Sequence, residues 1–405
     1  MVINPDHPEI TLVVIGAGEF QLPLIERAIE RGYKVIGIDG NDNAIGFNIC
    51  NESYVIDIKN SESIIRLLKK RNKKIDAVLT LAAEIAVVTV SKIAKEFNLI
   101  APSVNSSNIC TNKYLMRKCF KKNKIPSPNF DLILEYSQIN KIITKYKYPF
   151  VLKPIDNAGS RGVVIVENEF MLLNSFKHAL SFSKSGKVLL EEFMDGVEIS
   201  VEAFVQNNEI VILSLSDKIR TPFPYPLDTH VIFPSNKSKK IQNEAIEIAK
   251  AAIKASGLNN SIIHMELMVT NFGVKVVEMA ARGAGFHVFS KMLKWVCGIN
   301  TIDLLIDISL GIKILKKEYL KRGAILYFPS SSVGTVKSIS GLNEIKKLKQ
   351  ISDIKLTIQP GDKVNLLKSG SDRIGHVLTF AMNRKDAIKT NMIVENLLKI
   401  NMINE

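Results

Sequence analysis

The sequence predicts a protein of mixed α/β and α+β class, and three observations lead to this prediction. Apolar strand-like runs alternate with helical patterns over the first hundred residues, antiparallel strand patterns fill the middle, and glycine-broken strand runs follow residue 323. A chain of 405 residues has room for two or three domains. We place an N-terminal parallel α/β domain at residues 1–109, a middle domain at 110–322 with a lid subdomain at about 127–192, and a small β-rich domain at 323–405.

The N-terminal α/β pattern begins with an apolar run at residues 11–16 and a helical pattern that continues to Arg31. Residues 34–39 and 75–80 are further predicted strands, and residues 85–97 are the helix that follows them. Strand and helix repeats of this length predict a parallel sheet with right-handed crossovers.

The first strand ends in Gly16-Ala-Gly18, which is similar to the start of a dinucleotide-binding fingerprint, and Asp39 lies near the position of the ribose-binding acid. Gln21 replaces the third glycine, so close packing of helix and strand around a pyrophosphate is not supported. We therefore favour a plain tight turn, with a dinucleotide-dependent oxidoreductase as an alternative.

The charge balance by itself does not identify a partner. Lys and Arg number 54 against 40 Asp and Glu, a net charge of +14 that fits either nucleic-acid binding or affinity for anionic small molecules. The lysines are scattered without interleaved aromatic residues, so we expect no nucleic acid among the partners. The longest apolar stretch, residues 77–90, contains Glu84 and is shorter than the roughly 20 residues of a membrane helix. Asp6 and Glu9 precede a short apolar run unlike a signal peptide, so we expect a cytoplasmic protein without membrane contact.

The cysteines and histidines do not form a recognisable metal or disulfide pattern. No CxxC spacing occurs, and the six histidines lie far apart in the sequence. We expect buried, reduced thiols at Cys50, Cys110, Cys119 and Cys297.

A glycine-containing loop at residues 153–163 lies between two predicted strands. Its small residues free backbone N–H groups to face phosphate oxygens, and Lys153 adds a positive charge at the end of the preceding strand. A strand follows the loop, which distinguishes it from a Walker loop. An ordinary glycine-rich hairpin is the alternative interpretation.

Two glutamates on neighbouring predicted strands form the sharpest signal. A hairpin centred on Phe272 pairs Thr270 with Val274 and places Glu266 directly opposite Glu278. By strand alternation, both carboxylates share their faces with mostly apolar side chains. Opposed carboxylates repel each other unless a cation neutralises them, and Mg²⁺ prefers such oxygen ligands together with nucleotide phosphates. The pattern predicts a magnesium site, with manganese as a second candidate metal; a solvent-exposed pair without an ion is the alternative.

Two further segments contain candidate site residues. Arg282 follows the second strand in Ala281-Arg282-Gly283-Ala284-Gly285, where a guanidinium would stabilise charge on a transferred phosphoryl group. Residues 187–198 form an apolar strand with a short connection whose backbone could face an adenine edge. A surface arginine and a plain Asp-Gly turn are the respective alternatives.

Taken in order, these segments resemble the ATP-grasp superfamily, specifically its carboxylate-amine ligase and biotin-carboxylase-like branches. The resemblance covers nearly the whole chain and includes Gly334-Thr-Val and Arg373-Ile-Gly375-His376 in the C-terminal domain. It implies an ATP-grasp fold with an N-terminal pre-ATP-grasp domain and a biotin-carboxylase-like C-terminal domain.

The resemblance also implies roles for individual residues. Lys113 and Lys153 would contact nucleotide phosphates, Glu198 would bind ribose, and Glu266 and Glu278 would hold magnesium. Arg282 and Lys153 would be catalytic, with Arg282 positioning an acyl phosphate. The phosphate lid would consist of Ser160, Arg161 and Gly162, and the adenine frame of Glu191, Glu192, Phe193 and Met194.

One position departs from the family pattern. Ala280 stands where the family commonly has an asparagine two residues after the second metal glutamate, so a third metal ligand is missing. The acceptor substrate should lie between the N-terminal domain and the paired glutamates, where its candidate contacts are Glu84, Arg220, Arg282, Gly285 and His287.

The implied chemistry is transfer of the ATP γ-phosphoryl group to a carboxylate, followed by attack of an amine on the acyl phosphate to form an amide. The expected partners are small-molecule carboxylate and amine substrates, and the resemblance adds the expectation of a homodimer. A bicarbonate-phosphorylating carboxylase is the nearest alternative. A nucleotide-binding regulator without turnover is an alternative of another class.

Overall fold

The structure is a computed structural model that describes residues 10–315 and 318–403. The expectation about a signal peptide rests on Asp6 and Glu9, which lie outside the described residues. The start of the first predicted domain and the end of the last one also lie outside them. Across the described ranges, no helix combines the length and apolar character needed to cross a membrane.

The N-terminal region folds into a parallel sheet flanked by helices, as predicted. Its elements are β1 (Thr11–Ile15), α1 (Leu22–Glu30), β2 (Lys34–Asp39), β3 (Glu52–Val55), α2 (Ser61–Arg71), β4 (Ala77–Leu79) and α3 (Val87–Phe97). The strand order is β3-β2-β1-β4. Alternate residues of β1 pack against α1 on one face and against α2 and α3 on the other. Both faces are covered, which explains the continuous apolar run in the sequence.

The turn after β1 uses its polar side chains for local structure. Asp39 Oδ2 accepts a hydrogen bond from the backbone N–H of Ala17 at 2.7 Å, and Gln21 Oε1 accepts one from Leu81 at 2.7 Å. Gly16 has φ of +94°, a conformation that favours glycine. These contacts support the tight-turn interpretation over the dinucleotide fingerprint.

Two helices lead into a small antiparallel sheet, which contains the residues predicted to form a lid subdomain. The elements are α4 (Val104–Thr111), α5 (Lys113–Lys122), β5 (Phe130–Ile133), α6 (Ile139–Ile143), β6 (Phe150–Pro154), β7 (Val164–Val166), α7 (Leu172–Ser181) and β8 (Val188–Glu192). The strand order is β5-β8-β6-β7, with α7 packed on β6 and β7. The boundary predicted at 109/110 falls inside α4.

A large antiparallel sheet forms the body of the protein and continues into the C-terminal region. Its elements and attached helices are β9 (Gly196–Gln206), β10 (Glu209–Arg220), β11 (Asp228–Phe233), α8 (Lys239–Ala255), β12 (Ser261–Thr270), β13 (Gly273–Ala280), α9 (Leu293–Cys297), α10 (Thr301–Ser309), β14 (Gly323–Tyr327), β16 (Ile351–Leu356), β18 (Gly375–Ala381) and α12 (Arg384–Leu397). The order is β13-β12-β9-β10-β11-β14-β18-β16, so hydrogen bonds cross the boundary predicted at 322/323.

The remaining C-terminal elements are β15 (Gly334–Ser340), α11 (Leu342–Lys346), β17 (Lys363–Val364) and β19 (Lys399–Ile403), and the strands form a three-stranded sheet in the order β17-β15-β19. Helix α12 is followed by β19, in which Ile400 pairs with Ile339. Arg220, a predicted substrate contact, ends β10.

One apolar core contains side chains from the N-terminal sheet, the large sheet and the C-terminal region. It includes Leu12 from β1, Phe204 from β9 and Leu326 from β14, all at most 3% exposed. Because these strands share buried contacts, the N-terminal and C-terminal regions hold fixed positions beside the large sheet. Of the four cysteines, Cys110 and Cys297 are buried, whereas Cys50 and Cys119 are partly exposed, contrary to expectation.

Candidate active site

A cleft of about 640 Å³ lies where the four structural units meet. It is lined by Glu84 from the N-terminal domain, Lys153 from the lid, Glu278 from the large sheet and Arg373 from the C-terminal region. Clefts at such junctions are the usual location of small-molecule sites. The cleft therefore brings most of the predicted site residues together.

The paired glutamates face each other as predicted, but through a different register. Thr270 pairs with Gly273 and not with Val274, because the turn contains only two residues. The register then shifts between Glu266 and Leu267, and this irregularity restores the pairing of Glu266 with Glu278. The predicted contact is correct, whereas the predicted hairpin centre is wrong.

Cationic side chains from outside the hairpin approach these two carboxylates, which the strand pattern did not predict. Lys113 Nζ donates to Glu278 Oε1 at 2.7 Å, and Lys218 forms an ion pair with Glu266. Burial opposes ionisation of Glu266, but Lys218 and His264 outweigh it and hold its pKa well below the usual range. Burial likewise opposes protonation of Lys113, and the charge of Glu278 outweighs it and raises the pKa of Lys113.

The geometry of the two glutamates fits a hard cation. Their side chains are 28% and 21% exposed, which leaves both carboxylates accessible from the cleft. Each already attracts an ammonium group, so the position favours positive charge. Ala280 pairs with His264 in the ladder and contributes no oxygen ligand.

Lys153 belongs to a buried ion triad at the base of the lid. Its Nζ lies 2.7 Å from Glu191 Oε2, and Arg117 Nε donates to Glu191 Oε1 at 2.7 Å. Burial opposes ionisation of Glu191, but the two cations outweigh it and lower its pKa. Because its carboxylate binds these cations, Glu191 can face an adenine only through its backbone. Phe193 and Met194 line the cleft beside it.

The predicted lid residues divide into two groups. Ser160 and Arg161 line the cleft, whereas Gly162 does not. Gly162 has φ of +77°, and a Cβ there would lie 2.7 Å from Phe182, so this glycine serves packing of the loop. Close packing accounts for a glycine at this position, and the predicted phosphate contact of Gly162 stays a prediction. Glu192, which was predicted to frame the adenine, has a local contact: its carboxylate accepts a hydrogen bond from Asn129 Nδ2 at 3.0 Å.

Glu198 lies in a buried charge network. Its carboxylate accepts from Lys218 Nζ at 2.8 Å and from Arg220 Nη1 at 2.5 Å. Burial raises the pKa of Glu198 despite these two cations. Arg220 also donates from Nη2 to the Pro226 carbonyl at 2.7 Å. Arg220 therefore holds Glu198 in place, and because it also lines the cleft, its contact with a substrate stays a prediction.

The acceptor end of the cleft contains the predicted Arg282 and Glu84 as an ion pair, with Arg282 Nη2 donating to Glu84 Oε2 at 2.8 Å. Gly285 also lines this end. His287 does not line the cleft; it faces Asp353 and His376 in the C-terminal region. His287 has φ of +60° and directly precedes a π-helical turn, and its position outside the cleft lining does not support its predicted contact with a substrate.

Arg373 is a cleft residue that the sequence analysis did not assign to the site. Its guanidinium carbon lies 3.3 Å from the centroid of the Phe328 ring and 5.3 Å from that of Phe286. Neither Nε nor Nη1 has a hydrogen-bond partner among residues 10–315 and 318–403. Burial lowers the pKa of Arg373 to about 10. This guanidinium is therefore available for an anionic group of a ligand.

Two of the missed residues had a usable sequence signal. Arg117 follows Lys113 by four positions, so both lie on one face of α5, where buried cations indicate a site. His264 precedes Glu266 by two and shares its strand face; its Nδ1 lies 2.6 Å from Glu202 Oε1. Arg373 carried no such signal, because only the packing of Phe286 and Phe328 defines its surroundings.

Comparison with known families agrees with this arrangement. The ATP-grasp domain model matches residues 146–289, and L-amino acid ligase C-terminal domain 2 matches residues 326–402. The chain therefore contains an ATP-grasp domain. The two matched segments include the paired glutamates, Lys153 and Arg373. The predicted family and the prediction of an ATP-binding ligase are thereby confirmed.

Individual relatives are distant. An uncharacterised protein, y4rH, of Sinorhizobium fredii is 25% identical over 82% of this chain and 70% of its own length. The formate-dependent phosphoribosylglycinamide formyltransferase of Sulfurisphaera tokodaii is 24% identical over 67% of this chain and 69% of its own. The crystal structure of an L-amino acid ligase from Bacillus licheniformis has a TM-score of 0.83 and 21% identity, covering 98% of this chain and 100% of that one. This likeness confirms the predicted ATP-grasp fold.

Proposed function

We propose that this ATP-grasp protein phosphorylates a small carboxylic acid with ATP and joins the resulting acyl phosphate to an amine. The proposal rests on one observation: a single cleft brings two carboxylates together with three cationic side chains. These residues are Glu266, Glu278, Lys113, Lys153 and Arg282. This set provides oxygen ligands for a cation together with three positive charges for phosphates. Positioning and charge neutralisation are what phosphoryl transfer requires of a protein.

Each residue has a role that follows from its position. Glu266 and Glu278 would hold magnesium, which when bound neutralises phosphate charge. Lys113 Nζ lies 2.6 Å from the Asn157 carbonyl of the glycine loop, so it can bridge the loop and a phosphate. Lys153, held by Glu191, presents its charge without needing to reorient. Ser160 and Arg161 would cover the phosphates from the lid.

The acceptor end favours an organic acid and an amine over bicarbonate. Phe20, Phe286 and Phe328 line it, and apolar rings of this kind accommodate carbon side chains. Arg282 would position the acyl phosphate, and Glu84 holds its guanidinium in place. Arg373 would bind an anionic group of the substrate that attacks. The names of the relatives include a formate-dependent enzyme and an L-amino acid ligase, which supports a carboxylate and an amine as substrates.

Phosphate release with a set of carboxylic acids, each tested with hydroxylamine, examines this proposal directly. A carboxylate-amine ligase forms a hydroxamate only when ATP and its acid are both present. Phosphate release that depends on bicarbonate and produces no hydroxamate would support a carboxylase instead. Nucleotide binding without stimulation by any acid would support the regulator alternative.

Parallel assays with two variants separate chemistry from folding. Glu278→Gln should abolish hydroxamate formation because it removes a ligand carboxylate without changing size. Glu247→Gln is the matched control, since Glu247 is an exposed residue of α8 outside the cleft. Its hydroxamate yield should equal that of the wild type.

A further inference from the structure

A second cluster of metal-ligating side chains lies outside the cleft, where the chain after β13 meets β16 and β18. His287, Asp353 and His376 each place one ligand atom within 4.8 Å of the other two. His376 Nε2 lies 3.7 Å from Asp353 Oδ2. Two of the three residues stand on neighbouring strands of the large sheet, which fixes their relative position.

One nitrogen of this cluster has no hydrogen bond within the described part of the chain, and its contact with Asp353 Oδ2 at 3.7 Å is too long for one. His376 is only 5% exposed, and its Nε2 has no hydrogen-bond partner in the part of the chain that the structure describes. A buried polar atom without a partner is destabilising unless a ligand satisfies it. Imidazole nitrogens are common ligands of transition-metal ions.

We propose that His287, Asp353 and His376 bind a divalent transition-metal ion such as zinc. Two imidazole nitrogens and one carboxylate oxygen suit zinc, nickel or cobalt better than magnesium, which prefers oxygen ligands. Zinc binds such donors at about 2.0–2.2 Å, which places tetrahedral ligand atoms roughly 3.4 Å apart. Asp353 and His376 are close to that separation already, and a rotation of the His287 side chain brings in the third donor.

Lys291 competes with the metal for Asp353. Its Nζ donates to Asp353 Oδ2 at 2.8 Å and partly neutralises the carboxylate. The Lys291 side chain is 40% exposed, so it can release Asp353 to a dication and extend into solvent. Lys355, on the same strand as Asp353, is paired with Glu19 at 2.7 Å and leaves Asp353 free of a second ammonium contact.

The position of the cluster gives the ion a structural consequence. His287 belongs to the segment that follows Gly285 and Phe286, both of which line the acceptor end of the cleft. Asp353 and His376 belong to the C-terminal strands. A bound ion would therefore join this segment to the C-terminal region and stabilise the wall of the acceptor end.

Calorimetric titration of the chelator-treated full-length protein with ZnCl₂ tests the proposal. We expect one zinc ion per chain with an affinity in the micromolar range or tighter, and intense visible absorption when cobalt replaces zinc. His376→Gln and Asp353→Asn should each weaken binding at least about tenfold. Lys291→Met should strengthen it, because it removes the competing ammonium; unchanged affinity would contradict binding at Asp353.

Two control variants locate the ion. His230→Gln changes a histidine that contacts Glu395 elsewhere, and Glu278→Gln changes the cleft; both should retain wild-type zinc affinity. Absence of zinc binding, equal binding in the Asp353→Asn variant, or equal loss in Glu278→Gln would overturn the proposal. Circular dichroism of every variant identifies loss of folding. If His376→Gln does not fold, the zinc affinities of Asp353→Asn and Lys291→Met decide whether the ion binds here. This test does not depend on ligase activity.

Discussion

The two ends of the cleft differ in how their buried charges are compensated. At the nucleotide end, Glu191 pairs with both Lys153 and Arg117, so each charge has a partner. At the acceptor end, the guanidinium of Arg373 lies against the Phe328 ring, and two of its nitrogens have no partner among the described residues. Buried charges are costly unless they are paired. We therefore expect the protein alone to preorganise the proposed nucleotide end, and a ligand to neutralise Arg373 at the proposed acceptor end.

The largest expected effect concerns the carboxylates at the centre of the cleft. Glu278→Gln should reduce ATP-dependent phosphate release about 100- to 1,000-fold, because it removes a charge that positions both the cation and Lys113. Stopped assays of phosphate release with the cognate acid measure this loss. A variant that kept a third of the wild-type rate would show that Glu278 is not essential, provided that Glu247→Gln is fully active.

The next effect tests compensation at the nucleotide end. Glu191→Gln leaves Arg117 and Lys153 buried without their shared anion, and should lower the free energy of unfolding by about 3 kcal/mol. Urea unfolding followed by fluorescence measures the difference. Glu192→Gln is the neighbouring control, with a half-exposed side chain, and should change stability by less than about 1 kcal/mol. Equal stability of wild type and Glu191→Gln would mean that the triad is not needed for folding.

A smaller effect tests the uncompensated acceptor end. Arg373→Met should raise KM for the amine substrate about 10- to 100-fold, the range for loss of a charge-assisted hydrogen bond, and leave KM for ATP unchanged. Arg373→Lys should restore part of the affinity. Arg322→Met provides a matched control, because Arg322 stacks on Trp295 outside the cleft. An equal rise in both KM values would show that Arg373 acts on the whole fold instead.

The smallest effect concerns an ion pair far from the cleft, in which both charges have a partner. Arg71 donates two hydrogen bonds to Glu52, at 2.8 and 2.7 Å, and lowers the pKa of Glu52 to about 2 from 4.5. Stability from this pair is complete above pH 4.5 and is lost as the pH falls toward 2. Because the pair is partly exposed, we expect Glu52→Gln to cost about 1 kcal/mol at pH 6. Urea unfolding at pH 6 and pH 3 should show this difference shrinking; a constant difference would contradict the assigned pKa.

The paired glutamates show which contacts a short-range sequence pattern can predict. Strand alternation and hairpin symmetry were sufficient to predict that Glu266 and Glu278 meet, although the actual turn has two residues and the pairing depends on a register shift. The prediction succeeded because both residues lie in one hairpin. Their cations come from α5 and β10, which no local pattern connects to the hairpin.

His287 and Gly162 show where local pattern fails. His287 follows Arg282 by five residues, and sequence proximity suggested the same cleft, but His287 faces Asp353 and His376 and does not line the cleft. Gly162 belongs to the predicted phosphate loop, but a Cβ there would lie 2.7 Å from Phe182, so close packing alone accounts for a glycine. In both cases residues from more distant segments determine the surroundings, and sequence spacing does not encode them.

The sequence by itself determined the order of strands and helices, the family, and the residue types that can hold a nucleotide and a cation, because these depend on short-range periodicity and motifs. Only the tertiary structure decided which charges are paired and which are available. Arg117, Glu191 and Lys153 come from three separate segments, and Arg373 meets Phe328 across 45 residues. Such contacts depend on how distant elements pack, and burial then sets the cost that makes each pairing matter.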